Sequence, residues 1–186
     1  KAGSTGAATV GATGFGNGSN NIIIGSHAMP LFGTPGQVSN QITLGNSAHL
    51  VLRCQQTSIT ALSDKRDKKN IIDIPYGLEL INNLQPRQFT WDMRGETENN
   101  PHQGTTRVGF IAQEVQTVLG QDNNVLNMVY NVNPERLELS YGQLVPVLTK
   151  AVQELSSQLT AEKEKTAILE SKLTAIEARL SALESN

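Results

Sequence analysis

From Leu148 onward, apolar residues step along the chain by four and then three: Leu148, Val152, Leu155, Leu159, then Leu169, Leu173, Ile176, Leu180 and Leu183. That spacing predicts one long helix with a narrow apolar seam. With Val152, Leu159, Thr166, Leu173 and Leu180 at heptad position a, Leu148, Leu155, Glu162, Leu169, Ile176 and Leu183 fall at d. A helix lying on its own core needs a wider stripe than this. Leu at a with Ile at d, as in Leu173 and Ile176, leans toward three or four strands. Lys165, Lys172 and Arg179 occupy g, and Glu170, Glu177 and Glu184 occupy the e positions that follow. In a parallel, in-register homo-oligomer each g cation meets an e carboxylate of the next chain. One such exposed pair is worth only about 0–1 kcal/mol, but three in series set direction and register. Residues 143–186 are expected to form a parallel homotrimeric coiled coil.

The middle of the chain alternates between shorter patterns. Pro75 fits the first turn of a helix, with Ile74, Leu78, Ile81 and Leu84 following at helical spacing. Gln88 to Asp92 reads as a strand carrying Phe89 and Trp91 on one face. Arg94 to Thr106 reads as a polar loop. Val108 to Ile111 predicts a second strand, passing into a short helix through Ala112 to Leu119 that Gly120 ends. Val125 to Val132 is a further strand candidate. Together, residues 63–142 predict a small α+β unit.

The first sixty-two residues show a repeat. Ser19-Asn20-Asn21-Ile22-Ile23-Ile24-Gly25-Ser26-His27-Ala28 recurs as Ser39-Asn40-Gln41-Ile42-Thr43-Leu44-Gly45-Asn46-Ser47-Ala48, offset by 20 residues. Repeats of this length predict stacked units, each a short apolar strand closed by a glycine, as in a β-helical or intertwined β-stem. Two copies in one chain bury too little to offset the ordering entropy. The segment is therefore either disordered or wound from three chains with Ile and Val on a common axis, and the second is expected. Its units also look like those of trimeric fibre stems of phages and bacterial adhesins. Residues 1–62 are read as the end of such a stem.

Composition sharpens these boundaries. Between Lys1 and Leu62 only Lys1 and Arg53 carry a formal charge, and the charged residues crowd in after it. The net charge of −2 gives no electrostatic case for nucleic acid or an anionic membrane. The chain starts without Met, lacks an apolar run near membrane-spanning length, and reads as part of something longer. Six of its eight aromatics lie between Tyr76 and Tyr141, so the only conventional core belongs there. A core of that size is marginal alone and gains from self-association. Cys54 excludes an intrachain disulfide and is expected to be a small buried apolar residue. His27, His49 and His102 lack the paired spacing of a metal site and are expected to be structural. Gly14-Phe15-Gly16-Asn17-Gly18 has no strand-then-helix context and reads as a linker, not a phosphate loop. No cofactor and no metal are implied.

The candidate chemistry sits at the junction, Ser63-Asp64-Lys65-Arg66-Asp67-Lys68-Lys69-Asn70-Ile71. A serine and a lysine can form a nucleophile and its base. An amine acts as a base near neutrality only when desolvation or nearby cations favour its neutral form. Lys65, Arg66 and Lys69 act in that direction, Asp64 and Asp67 against it. Five residues of helix turn through about 500°, which leaves the two side chains roughly 140° apart. A strand points them to opposite faces. A Ser63–Lys68 pair therefore needs a turn between Asp64 and Asp67.

This junction resembles that of the phage tailspike and tail-fibre intramolecular chaperone domain, the self-cleaving family peptidase S74, whose signature is Ser-Asp-x-Arg-x-Lys. Leu84-Gln85-Pro86-Arg87-Gln88-Phe89-Thr90-Trp91, Gly109-Phe110-Ile111-Ala112-Gln113-Glu114-Val115 and Ser140-Tyr141-Gly142-Gln143-Leu144 look like further family blocks, in the family's order. The resemblance covers Ser63 to the C-terminus, about two thirds of the chain. It implies a domain that trimerises and folds the fibre upstream of it, then releases itself as a single-turnover serine endopeptidase. On this sequence the cut bond is Leu62–Ser63, Ser63 the nucleophile and Lys68 the general base. The implied setting is a tail-fibre or tailspike precursor in the host cytoplasm during assembly. Glu114 either orients Lys68, pairs with Arg66, or is simply a carboxylate at a helix start, and it is left outside the catalytic pair. A related self-cleaving domain occurs in a membrane-bound eukaryotic transcription factor, but the stem repeats favour a phage fibre. The alternatives are a trimerisation and receptor-binding tip that is never cut, and a polysaccharide-degrading enzyme. The spaced carboxylates of the latter are not visible.

Overall fold

The computed structural model describes residues 20–25, 39–46, 48–56, 58–94 and 100–185. The glycine-rich stretch at 14–18 and His27 lie outside them. Small two-stranded sheets, short helices and one long C-terminal helix make an α+β chain. It divides into two units: Lys1–Lys69 with Pro86–Gln113 and Val129–Leu139, and Asn70–Gln85 with Glu114–Met128 and Ser140–Asn186.

The first unit holds the described strands. β1 (Ile22–Ile24) pairs in parallel with β2 (Ile42–Leu44), matching Ile22 to Ile42 and Ile24 to Leu44. The sequence repeat thus places equivalent residues side by side. The same bend opens each copy, because Asn20 and Asn40 both take left-handed backbone (φ 57° and 60°), a conformation asparagine tolerates. Their side chains join, the Asn20 amide donating to Asn40 Oδ1 at 2.8 Å. The Gln41 N–H donates to Asn21 Oδ1 at 3.1 Å. Ile23 is buried, whereas Ile22, Ile24, Ile42 and Leu44 are exposed. Beyond β2 the chain runs to Leu62 without regular structure among its described residues.

β3 (Arg87–Thr90) and β4 (Thr106–Gly109) form an antiparallel pair, Arg87 opposite Gly109 and Thr90 opposite Thr106. Phe89 and Trp91 do share a face, their rings meeting edge to face at 5.2 Å, which is the preferred geometry for such a pair. Gly104, at φ +72°, makes the turn that returns its N–H to the Trp91 carbonyl. β5 (Val129–Tyr130) pairs antiparallel with β6 (Glu138–Leu139).

The second unit is helical and contains most of the buried apolar side chains: Leu84, Val115, Leu119, Leu126, Met128, Leu144, Val147 and Ala151. α1 (Leu78–Asn83) packs on the start of α4 (Leu144–Glu184). α1 starts three residues after Pro75. Gly77 offers no capping side chain, and the Glu154 carboxylate of α4 accepts the Leu78 N–H at 2.7 Å instead. This is N-capping in trans, relieving one orphan donor of the helix. α2 spans Ala112–Leu119 as expected, and Gly120 (φ +51°) follows it. The strand expected from Val125 shrinks to β5, because α3 (Asn123–Leu126) occupies its beginning. Asn127, left-handed at φ 48°, stops α3, and the Asn123 side chain accepts the Met128 N–H. Tyr76 donates its hydroxyl to Asp122 at 3.0 Å. That bond, then burial and the nearby carboxylate charge, pushes the Tyr76 phenol above its usual range. No described helix is long and apolar enough to cross a membrane.

Candidate functional site

Ser63 lies outside any regular element and is exposed. Asp64 follows at φ −67°, ψ 134°, and Lys65–Asp67 make a single turn of 3-10 helix. Lys68 returns to extended backbone at φ −125°, ψ 146°. Two backbone bonds close the turn: Asp67 N–H to Asp64 O at 3.2 Å, and Lys68 N–H to Lys65 O at 3.1 Å. This is the turn that the Ser63–Lys68 spacing requires. With it, Lys68 Nζ lies 2.6 Å from Ser63 Oγ and 3.4 Å from the Ser63 carbonyl oxygen.

The turn is fixed by the residue at its head. Asp64 Oδ1 accepts the Arg66 backbone N–H at 2.8 Å, an aspartate capping the turn that follows it. The Arg66 guanidinium grips the same carboxylate: Nε reaches both oxygens at 3.1 Å, and Nη2 reaches Oδ2 at 2.6 Å. The Arg66 side-chain bonds, followed by its backbone N–H, hold the Asp64 carboxyl below the ordinary carboxylate range. The same carboxylate raises the Arg66 guanidinium further. An aspartate immediately before a turn is a legible capping signal. Its pairing with the arginine two residues on was missed in the sequence.

The other candidates are placed as follows. Glu114 stands in the first turn of α2, where the helix dipole favours a carboxylate. His49 Nδ1 lies 3.0 Å from the Asn46 amide nitrogen, and His102 Nε2 lies 3.1 Å from the His49 carbonyl oxygen. Both imidazoles tie loops together. Among the described residues no three His, Cys, Asp or Glu side chains gather as a metal site. Cys54 corrects the expectation of burial: it is exposed, with its thiol donating to the Gln56 carbonyl at 2.8 Å. The described residues around it form no regular element and are exposed. Leu62 and Ile59, on the upstream side of the candidate bond, are fully exposed.

No curated protein and no solved structure matches the chain. Residues 63–134 match the family model described as Peptidase_S74, chaperone of endosialidase. The match opens on the serine whose hydroxyl meets Lys68 and leaves both repeats and the whole of the long helix outside it. Residues 63–134 are thus similar to the peptidase S74 family, the chaperones of endosialidase, and the match supports an S74-type chaperone domain over that stretch.

Proposed function

We propose that the chain is an intramolecular chaperone that brings three copies together through α4, folds the fibre stem upstream, and then cuts itself free at Leu62–Ser63. The observation that carries the reading is the 2.6 Å contact between Lys68 Nζ and Ser63 Oγ, within hydrogen-bonding reach for proton transfer. The client is the β-rich stem of a phage tail fibre or tailspike, and residues 1–62 are its end. The parallel pairing of β1 with β2 across the 20-residue repeat supports a β-helical or intertwined stem.

The Lys68 amine, in its neutral form, takes the Ser63 hydroxyl proton as Oγ attacks the Leu62 carbonyl carbon. The tetrahedral adduct collapses by breaking the Leu62–Ser63 C–N bond, and the lysine ammonium returns its proton to the leaving amine. An ester then joins the Leu62 acyl group to Ser63 Oγ, beside a free α-amine. Water hydrolyses the ester, leaving a carboxylate on Leu62 and restoring the Ser63 hydroxyl. Each site acts once.

Coupling to assembly has a physical reason. In a single chain Ser63 and Lys68 are exposed, and water around an exposed amine favours its charged form. Neighbouring copies that cover the junction remove that water, so cutting waits for the trimer. The coiled coil holds three stems in register before they wind, which lowers the loop-closure cost of their non-local pairing. After release the stem has lost its folding aid and is kinetically trapped.

Denaturing electrophoresis of freshly made chain tests the reading. Unsubstituted chain yields a fragment beginning at Ser63, and Ser63→Ala and Lys68→Ala yield none. One intact band from the unsubstituted trimer supports instead an uncut trimerisation and receptor-binding tip.

A further inference from the structure

We infer that Asp64 and Arg66 are positioning residues for the Ser63–Lys68 pair: Asp64 folds the turn that brings amine to hydroxyl, and Arg66 keeps the Asp64 carboxylate off that amine. The inference rests on the self-cleavage reading above.

The carboxylate is fully engaged within its own turn. Oδ1 receives the Arg66 backbone N–H and Nε–H, and Oδ2 receives Nε–H and Nη2–H. Asp64 sits between serine and lysine in sequence, beside the hydroxyl that Lys68 must reach. Released from Arg66, it is an anion placed to bind the ammonium. A carboxylate paired with an ammonium favours the charged amine, which cannot accept the serine proton. Only a planar fork occupies both oxygens at once while its own backbone N–H is capped by the same group. Lysine offers a point charge in its place. Lys65, Asp67 and Lys69 flank the amine in sequence, and among the described residues none of them bonds to it. Asp64 is thus both the cap that the site needs and the charge that would silence it. Arg66 separates the two roles.

The test is the pH dependence of self-cleavage in the full chain, followed as the mass of the fragment beginning at Ser63, with trimer mass checked for each variant. Arg66→Gln is expected to move the profile to higher pH by about half a unit to one unit. That slows cutting at neutral pH roughly 3–10-fold. Adding Asp64→Asn, whose amide oxygen still caps the turn without the charge, moves the profile back. Arg66→Lys shifts it the same way by less and serves where the glutamine variant assembles poorly. Asp64→Ala loosens the turn and slows cutting about tenfold at every pH without moving the profile. A purely structural role for Arg66 predicts slowing that is equal at every pH and no recovery in the double variant, and that result overturns the inference. If unsubstituted chain produces no fragment beginning at Ser63, the self-cleavage reading itself falls. If the fragment appears and none of the profiles moves, only the role given to Asp64 and Arg66 is lost.

Discussion

Two stretches of one helix behave in opposite ways. At the start of α4, Leu144, Val147 and Ala151 are buried in the helical unit, and Glu154 ends that stripe by capping α1. From Leu155 to the end, every described residue is exposed. The change is not a loss of apolar residues, because Leu155, Leu159, Leu169, Leu173, Ile176, Leu180 and Leu183 are between 49% and 74% accessible. Val147 is completely covered while Leu148, one residue on and at the head of the seam, is 45% accessible. The helix thus carries two separate apolar stripes. The core uses 144–147–151, and the seam from Leu148 to Leu183 faces away from it. A seam that the described residues leave uncovered over about ten turns supports the proposal that copies of the same helix cover it.

That contrast can be broken at either end. The largest effect is expected from the double substitution Leu173→Asp and Leu180→Asp, which puts six carboxylates on the axis of a trimer. Sedimentation should fall from three copies to one while the far-UV signature of the helical unit near α1 survives. Val147→Ala acts on the other stripe. It should cost about 1–3 kcal/mol in urea unfolding, from lost burial and the space left behind, with the subunit number unchanged. Glu154→Ala removes the cap on Leu78 and should cost about 1 kcal/mol. Gly77→Ala should cost a similar amount, because an added Cβ meets the Glu154 carboxylate and drives it from the Leu78 N–H. The smallest effect belongs to Lys172→Glu. Each exposed pair contributes about 0–1 kcal/mol, so trimer stability should drop slightly, recover with Glu177→Lys, and lose its difference at high salt.

The seam was legible because a seven-residue repeat survives without knowledge of any neighbour. The stripe at 144–147–151 was not separated from it, since Val147 and Leu148 are equally apolar and only packing distinguishes them. Likewise, α2 was placed to its last residue by a helical pattern and a following glycine. α1 was drawn too early, because its cap comes from Glu154, 76 residues downstream of Leu78. A local pattern carries no trace of such a partner. The same holds for β6, two residues long, which lacks the alternation that betrays a strand. At the junction, the need for a turn followed from the spacing of Ser63 and Lys68 alone. How the turn is held followed from hydrogen bonds between Asp64 and Arg66 that two charged letters do not announce. Cys54 was misplaced because a cysteine's usual burial says nothing of a segment that forms no regular element and lies exposed among the described residues.

The central claim joins assembly to a cut, and one measurement addresses both: the mass and N-terminal residue of freshly made chain, taken from material whose sedimentation gives three copies. The account predicts a fragment of residues 63–186 with serine at its N-terminus, and an undivided chain in the Ser63→Ala trimer. An undivided chain in the unsubstituted trimer, or the same fragment from Ser63→Ala, would contradict it.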